Sequence, residues 1–351
     1  MMSLDTEHWQ YLYSTPTCTA RFKQHPEDFV VEEQLGFSPT GEGEHQFIWV
    51  EKVNANTAFV AEQLAKYCNL PLRAVTYAGR KDKHALTRQW FGIHTPGKAD
   101  IEFGEWDLPG VKILRQTRHN KKLRTGQAKA NHFTICLREV SDTNLLISAL
   151  EQSKAGVPNY FGEQRFGVAF NAEGQPSKGG NLALAERMVS GEPIRNRNKR
   201  NIALSALRSW LFNEVVSARI QVQRFDTIMA GDALMLTGSN SFFICEHPSD
   251  EEGRRYQQGD LSPTAPLWGK GDSIPTAEAN RFEQKICAEH VAVKDFLASV
   301  GMEQERRAIK IWPRDLEWRV EGDKLTVSFA LPGGCFATSV LRECVVLLHT
   351  S

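Results

Sequence analysis

The 351-residue sequence lacks most of the features that assign a chain to a class at once. Its formal net charge is zero, its seven cysteines form no Cys-x-x-Cys pair, and its ten histidines show no metal-ligand spacing. It contains neither the G-x-x-x-x-G-K-[ST] phosphate loop nor the G-x-G-x-x-G dinucleotide fingerprint. These absences argue against a disulfide framework and a zinc site. We therefore expect reduced thiols, no metal and no bound nucleotide cofactor.

Long apolar runs are also missing. No segment approaches the roughly 20 apolar residues that span a bilayer. The N-terminal stretch MMSLDTEHWQ has no basic region followed by an apolar core, so no secretory signal is visible. The hydrophobic fraction of 41% and the charged fraction of 24% are ordinary for a globular enzyme, and the length allows two domains of roughly 150 residues each. We expect a cytoplasmic protein with no membrane partner.

Positive charge is concentrated in two segments despite the zero net charge. Residues 108–138 contain eight Lys or Arg and no acid, and residues 195–200 contain four cations. Acidic residues gather elsewhere, notably at 250–252. This asymmetry predicts one positive face that attracts phosphate groups. A solvated charged surface is the alternative interpretation of each run.

A short charged segment, residues 76–90, holds one carboxylate among several cations. Asp82 is flanked by Arg80, Lys81, Lys83 and, further on, Arg88. Apolar periodicity predicts a helix at 56–69, a strand at 74–78 and a second strand at 87–93, which places Asp82 in a loop between strands. Nearby positive charge favours the ionised carboxylate. Such a group serves as a nucleophile, as a charge stabiliser, or as half of a surface salt bridge.

The same reasoning predicts further elements along the chain. Expected strands lie at 29–33, 45–53, 131–140, 233–236, 242–246, 309–312, 317–320 and 324–331, and expected helices at 142–155, 181–190, 202–220 and 276–300. The composition shifts toward helix from about residue 158 to 305. A glycine-rich segment at 171–180 also favours a domain boundary near residue 157.

Five segments, spread from residue 21 to residue 343, carry the motifs of one family. They are R-F-K-x-x-P-E-D-F-x-V-x-E at 21–33, G-x-K-D-x-x-A-x-T-x-Q at 79–89, N-x-F at 131–133, N-Y-F-G-x-Q-R-F-G at 159–167 and L-P-x-G-x-[FY]-A-T-x-x-L-R-E at 331–343. One departure is Ala130, where a glycine is more usual. Over nearly its whole length the sequence resembles the TruD family of tRNA pseudouridine synthases.

The resemblance implies a fold and an activity. The fold is α+β, with a catalytic domain built on a central mixed, largely antiparallel sheet from residues 1–156 and 306–351, and an inserted α/β domain at 157–305. The activity is the isomerisation of uridine to pseudouridine at position thirteen of certain tRNAs. The implied partner is tRNA, no cofactor is required, and we expect a monomer.

The resemblance also assigns roles to residues. Asp82 is the catalytic carboxylate, and Lys23 is its basic partner. Asn131 holds Asp82 or the edge of the base. The aromatic residues expected against the target nucleotide are Phe29, Phe133 and Phe336. The cations expected to bind RNA are Arg80, Lys81, Lys121, Lys122, Arg124, Arg165, Arg195, Arg197, Lys199 and Arg200. From the residues alone, Phe133 is also an ordinary core position, and 159–167 also suits a tightly packed hinge.

The chemistry of the reaction agrees with these residue types. Isomerisation breaks the N1–C1′ bond and joins C5 to C1′, so it needs a carboxylate, apolar surfaces that hold the free uracil and a flipped-out nucleotide, but no redox step. Attack by Asp82 on C1′ or on C6, or abstraction of a sugar proton, are all open. Two alternative functions use similar residues. A non-catalytic tRNA-binding or RNA-folding protein would form no product, and a glycosylase or nuclease would release base or cut strands.

Overall fold

The computed structural model describes residues 4–168 and 179–349. Most of the glycine-rich segment that favoured a boundary near residue 157 lies outside these residues. In the described part of the chain, no helix is both long and apolar enough to cross a bilayer.

Sixteen strands and nine α-helices make up the described part of the chain. The strands are β1 (Thr19–Phe22), β2 (Phe29–Leu35), β3 (His45–Val53), β4 (Val75–Tyr77), β5 (Leu86–His94), β6 (Val111–His119), β7 (Ala128–Leu137), β8 (Val157–Pro158), β9 (Asp232–Leu236), β10 (Phe242–Cys245), β11 (Leu261–Leu267), β12 (Glu305–Ala308), β13 (Lys310–Ile311), β14 (Arg314–Glu321), β15 (Lys324–Pro332) and β16 (Val346–His349). The helices are α1 (Thr57–Tyr67), α2 (Thr143–Ser153), α3 (Glu163–Phe166), α4 (Gly180–Val189), α5 (Arg197–Gln221), α6 (Asp250–Gln258), α7 (Ala277–Glu289), α8 (Val291–Ser299) and α9 (Ala337–Arg342).

An eight-stranded sheet is the largest layer, in the order β14-β15-β7-β2-β5-β3-β6 with β4 paired to β5. Among the described strands of this sheet, only β2 and β5 pair in parallel, which confirms the predicted mixed, largely antiparallel sheet. On β7, in the region predicted as a strand at 131–140, the buried residues alternate and place Phe133, Ile135 and Leu137 on one face. Helices α2 and α9 cover the half of the sheet that contains β7 and β15. Helix α1 covers the β3–β5 half through Val60 and Leu64.

A smaller antiparallel sheet, in the order β10-β9-β11-β12, packs with the long helix α5 and its neighbours. The helix predicted at 276–300 is wrong as one element, because it is divided into α7 and α8 at His290. His290 packs edge-on against Trp210 and lies 3.6 Å from the Glu214 carboxylate. These tertiary contacts with α5 outweigh the local helical preference.

Strands β8 and β13 form a separate two-stranded sheet. It pairs Val157 with Ile311, so the chain segments before and after the smaller sheet lie side by side. Leu4 and Trp9, near the N-terminus, pack into the core of the smaller unit. That core is thus built from residues distant in sequence.

Candidate active site

The loop between β4 and β5 carries Asp82, and its main chain is held by buried side chains. Gln89 Nε2 donates to the Gly79 carbonyl at 3.0 Å. Thr57 Oγ1 donates to Gln89 Oε1 at 2.9 Å and accepts from the Lys81 amide at 3.0 Å. Thr57 is the first residue of α1, so its hydroxyl links the start of this helix to the loop. These bonds connect the loop to β5 and α1, which gives Asp82 a rigid support.

The Asp82 carboxylate faces the ammonium of Lys23, with 3.6 Å between Oδ2 and Nζ. The Asp82 side chain is 35% exposed, so a ligand can reach it. Burial lowers the pKa of Lys23, and the charge of Asp82 opposes this shift. Lys23 also has a φ of +56°, a left-handed conformation that is strained for a side chain of this size. The pairing that the sequence suggested is present in the structure.

Lys52 is a residue of this site that sequence reasoning missed. Its Nζ donates to the main-chain carbonyl of Asp82 at 2.8 Å, and the residue is fully buried on β3. Burial lowers its pKa to about 8, with Lys81 adding to the shift and Asp82 opposing it. The sequence does carry a sign of this role, because Lys52 is in phase with the buried Ile48 and Val50 on an alternating strand.

Two aromatic rings line the core beside the Lys23–Asp82 pair. Lys23 Nζ lies 3.9 Å from the centre of the Phe29 ring, and the Phe29 and Phe133 rings are 6.0 Å apart. Both rings are buried, at 3% and 6% exposed. Asn131 lies two residues before Phe133 on β7, and its Oδ1 is buried with no hydrogen-bond partner among the described residues. Among the described residues Asn131 forms no hydrogen bond with Asp82, and its buried oxygen can accept one from a ligand.

Phe336 belongs to a second aromatic group. It lies at the start of α9, with its ring 5.8 Å from that of Phe161. The guanidinium carbons of Arg165 and Arg307 lie 6.0 and 5.7 Å from its centre. The main chain of Phe161 is fixed by a reciprocal pair of hydrogen bonds with the buried Asn213 side chain. The 159–167 segment therefore both packs against α5 and contributes to this group.

Comparison with known proteins identifies the family. The family model for tRNA pseudouridine synthase D (TruD) matches residues 5–173 and 194–344. The chain belongs to the TruD family. Among curated relatives, tRNA pseudouridine synthase D of Pseudoalteromonas atlantica is 51% identical over 97% of this chain and 96% of the relative. The protein of that name from Aeromonas hydrophila is 45% identical over 96% and 94%.

A solved structure supports the fold. The chain matches a crystal structure from Methanosarcina mazei, described with the name tRNA pseudouridine synthase D (TruD), at a TM-score of 0.70. Sequence identity is 20%, and the match covers 96% of this chain and 95% of the other. This likeness confirms the α+β pseudouridine synthase fold predicted for this member of the TruD family.

Most cations of the two basic runs are exposed. In the described residues, none of the following has a carboxylate within salt-bridge distance: Arg80, Lys121, Lys122, Arg124, Arg195, Arg197, Lys199 and Arg200. Lys81 differs, because its Nζ forms a buried ion pair with Glu33 at 2.8 Å. Glu33 also accepts from the Trp90 amide. This TruD chain thus uses Lys81 to anchor the Asp82 loop to β2, and its ammonium does not face solvent.

Proposed function

We propose that the protein is a tRNA pseudouridine synthase whose target is the uridine at position thirteen. Membership of the TruD family supports this proposal, as do the curated relatives named tRNA pseudouridine synthase D. The observation that carries it is the Asp82 carboxylate, which is accessible, fixed at its main chain by Lys52 and 3.6 Å from the Lys23 ammonium. No other function considered from the sequence accounts for all five motifs.

In this proposal Asp82 is the carboxylate that reacts at the target nucleotide. Lys23 favours its ionised form, since an adjacent positive charge stabilises a carboxylate. After the N1–C1′ bond breaks, uracil turns and C5 bonds to C1′. C5 then loses its hydrogen, and N1 takes up a proton, so the reaction is balanced without a redox partner. A site that holds the detached uracil lowers the entropic cost of rejoining it.

The predicted binding residues take defined places in this scheme. Phe133 offers its remaining exposed margin to uracil, and Asn131 Oδ1 accepts a hydrogen bond from the base edge. Phe29 acts through Lys23, whose ammonium lies over its ring. Phe336 lies in the second aromatic group and contacts the nucleotide from that side.

We also propose that the chain is organised as a catalytic domain with an inserted domain. The pairing of β8 with β13 brings together the two ends of the proposed insertion, which supports this division. Strand β12 pairs with β11 of the smaller sheet, which favours an insertion that extends to about residue 308. The RNA would then lie between the two units, where the exposed cations of both meet its phosphates.

Binding of tRNA is expected to depend steeply on salt. If six or more exposed cations neutralise phosphates, affinity falls by about 10³-fold or more between 50 and 200 mM salt. Filter binding at a series of salt concentrations gives the slope of log affinity against log salt. A slope near zero would remove the electrostatic part of the proposal.

Release of tritium from tRNA labelled at C5 of uridine tests the function itself. We expect release by the wild-type protein, because C5 loses its hydrogen when it bonds to the sugar. Sequencing by carbodiimide-dependent reverse-transcription stops would then locate the modified position. Free uracil in the supernatant would indicate a glycosylase, and shortened RNA a nuclease. Binding of tRNA with neither tritium release nor cleavage would favour a non-catalytic RNA-binding protein.

A further inference from the structure

Two arginines approach the same pair of aromatic rings in the second aromatic group. The guanidinium carbon of Arg307 lies 4.2 Å from the centre of the Phe161 ring, and that of Arg165 lies 5.3 Å from it. Both side chains also lie within 6.0 Å of the Phe336 ring centre. The group thus concentrates two positive charges in a half-buried, aromatic environment.

Neither guanidinium has a carboxylate partner among the described residues. Arg165 donates to Ser205 Oγ at 2.9 Å. Arg307 donates to Asn159 Oδ1 at 2.6 Å and to the Gly334 carbonyl at 3.1 Å, while its Nε is buried without a partner in the described part of the chain. Burial lowers the pKa of both side chains, to about 10 for Arg307, and repulsion from Arg165 contributes to the shift of Arg307.

The three arginines that are most fully buried among the described residues are paired. Arg219 lies 2.6 Å from Asp232, Arg306 lies 2.6 Å from Glu283, and Arg208 lies 3.2 Å from Glu305. Removing a cation from water is costly unless a counter-charge replaces the lost hydration. No described residue supplies a counter-charge to these two neighbouring guanidiniums, which favours a ligand as its source.

A cavity of about 390 Å³ opens beside Arg165. Its wall includes Asn181, Asn201, Ser205, Thr338 and Phe336, and none of the described residues that line it is acidic. Amide and hydroxyl donors together with a guanidinium suit the oxygens of a phosphate group. An aromatic face next to them suits a nucleobase.

We infer that this cavity binds a phosphodiester of the RNA substrate together with its nucleotide, and that Arg165 and Arg307 supply the neutralising charge. The inference rests on the proposed function, because it takes RNA as the substrate. Arg165 contacts the phosphate from the cavity wall. Arg307 adds the second charge and holds the loop before Phe336 through Gly334.

The position of the cavity relates it to the target site. Phe336 follows β15, which pairs with β7 and thus with the strand that carries Asn131 and Phe133. Arg165 and Arg307 come from the two ends of the 157–308 segment. A nucleotide bound here would fix the RNA at the junction of the two units, next to the nucleotide that enters the Asp82 site.

Replacement of each arginine by glutamine tests the inference. We expect Arg165→Gln and Arg307→Gln each to weaken tRNA binding about tenfold near 100 mM salt, to raise KM, and to reduce the salt slope by about one. Arg165→Lys keeps the charge and should retain the slope. Arg319→Gln, which alters an exposed arginine on β14 paired with Glu321, is the matched control and should behave like wild type.

Several outcomes would overturn the inference. A loss of affinity with an unchanged salt slope, or the same loss in Arg165→Lys, would assign the arginines a packing role, and thermal melting identifies variants that fail to fold. Inorganic phosphate is the probe for a free-anion site. If it protects wild type but not Arg165→Gln against thermal unfolding while tRNA affinity is equal in both, the cavity takes a free anion and not RNA. Unchanged affinity and slope in a protein that releases tritium would refute this inference alone, whereas a slope change without tritium release would refute the proposed function alone.

Discussion

Asp82→Asn is expected to lower pseudouridine formation by at least about 10³-fold while tRNA affinity stays within a few-fold of wild type. The substitution keeps the shape of the side chain and removes its charge and nucleophilicity. The loop should stay in place, because its anchors are the Gln89, Thr57 and Lys52 contacts to main-chain atoms and the Lys81–Glu33 ion pair. The Lys23 ammonium would lose its counter-charge, which lowers its pKa further.

Tritium release measures pseudouridine formation, and filter binding measures tRNA affinity. Asp100→Asn is the matched control, since Asp100 is an exposed aspartate paired with Arg118 at 2.5 Å. We expect it to keep wild-type activity. If Asp82→Asn retained more than about a tenth of the activity, a different group would have to carry the chemistry and the proposed role of Asp82 would be wrong.

Lys52→Met is expected to lower turnover by about 10- to 100-fold at neutral pH without lowering the stability of the fold. The variant removes the 2.8 Å bond that positions the Asp82 carbonyl, and displacement of a reacting group by about 1 Å costs on the order of 100-fold. It also removes a buried ammonium, which hydrophobic residues of similar volume often replace without loss of stability. We expect a larger effect on kcat than on KM, since Lys52 does not face solvent.

The pH dependence of stability separates the loss of the hydrogen bond to the Asp82 carbonyl from the removal of a buried charge. Burial lowers the pKa of Lys52 to about 8 in the folded protein, from 10.5 in an unfolded chain. Between these values the unfolded state binds more protons, so this group makes stability rise with pH. Burial of the charged Lys52 ammonium lowers the free energy of unfolding fully below about pH 8, and this destabilisation is gone by about pH 10.5. The stability gained by Lys52→Met should therefore be largest below pH 8 and should shrink as pH approaches 10.5.

Urea denaturation of both proteins at several pH values measures this difference. Lys324→Met, at an exposed lysine that begins β15 and lies outside both basic runs, is the control and should change neither activity nor the pH profile. A marked fall in the free energy of unfolding of Lys52→Met would show that Lys52 is structural. Full activity in a stable variant would show that the Asp82 carbonyl needs no tether.

Local patterns were enough to predict much of the large sheet. The alternation of β7 and the apolar faces of α1 and α2 depend on neighbours in sequence. So does the cap of α2, where the Asp142 side chain accepts from the Leu145 amide. Other elements were missed. Strand β6 is largely exposed and basic, so it alternates weakly, and β11 contains Pro263 and Pro266, which disfavour a strand. Each is formed by pairing with a strand that is distant in sequence.

The sequence by itself determined the family, the α+β class and the identity of the candidate catalytic aspartate, because these depend on residue types at fixed spacing. Only the tertiary structure decided what the cations do. Lys52 reaches Asp82 across 30 residues of chain, and Arg307 reaches Asn159 across 148. Lys81, predicted to contact RNA, is paired with Glu33 instead, and Arg307 was not singled out at all. Whether a cationic side chain binds RNA, supports a loop or pairs with a ligand depends on its burial and on its partners. Burial and partners are both set by contacts between distant parts of the chain.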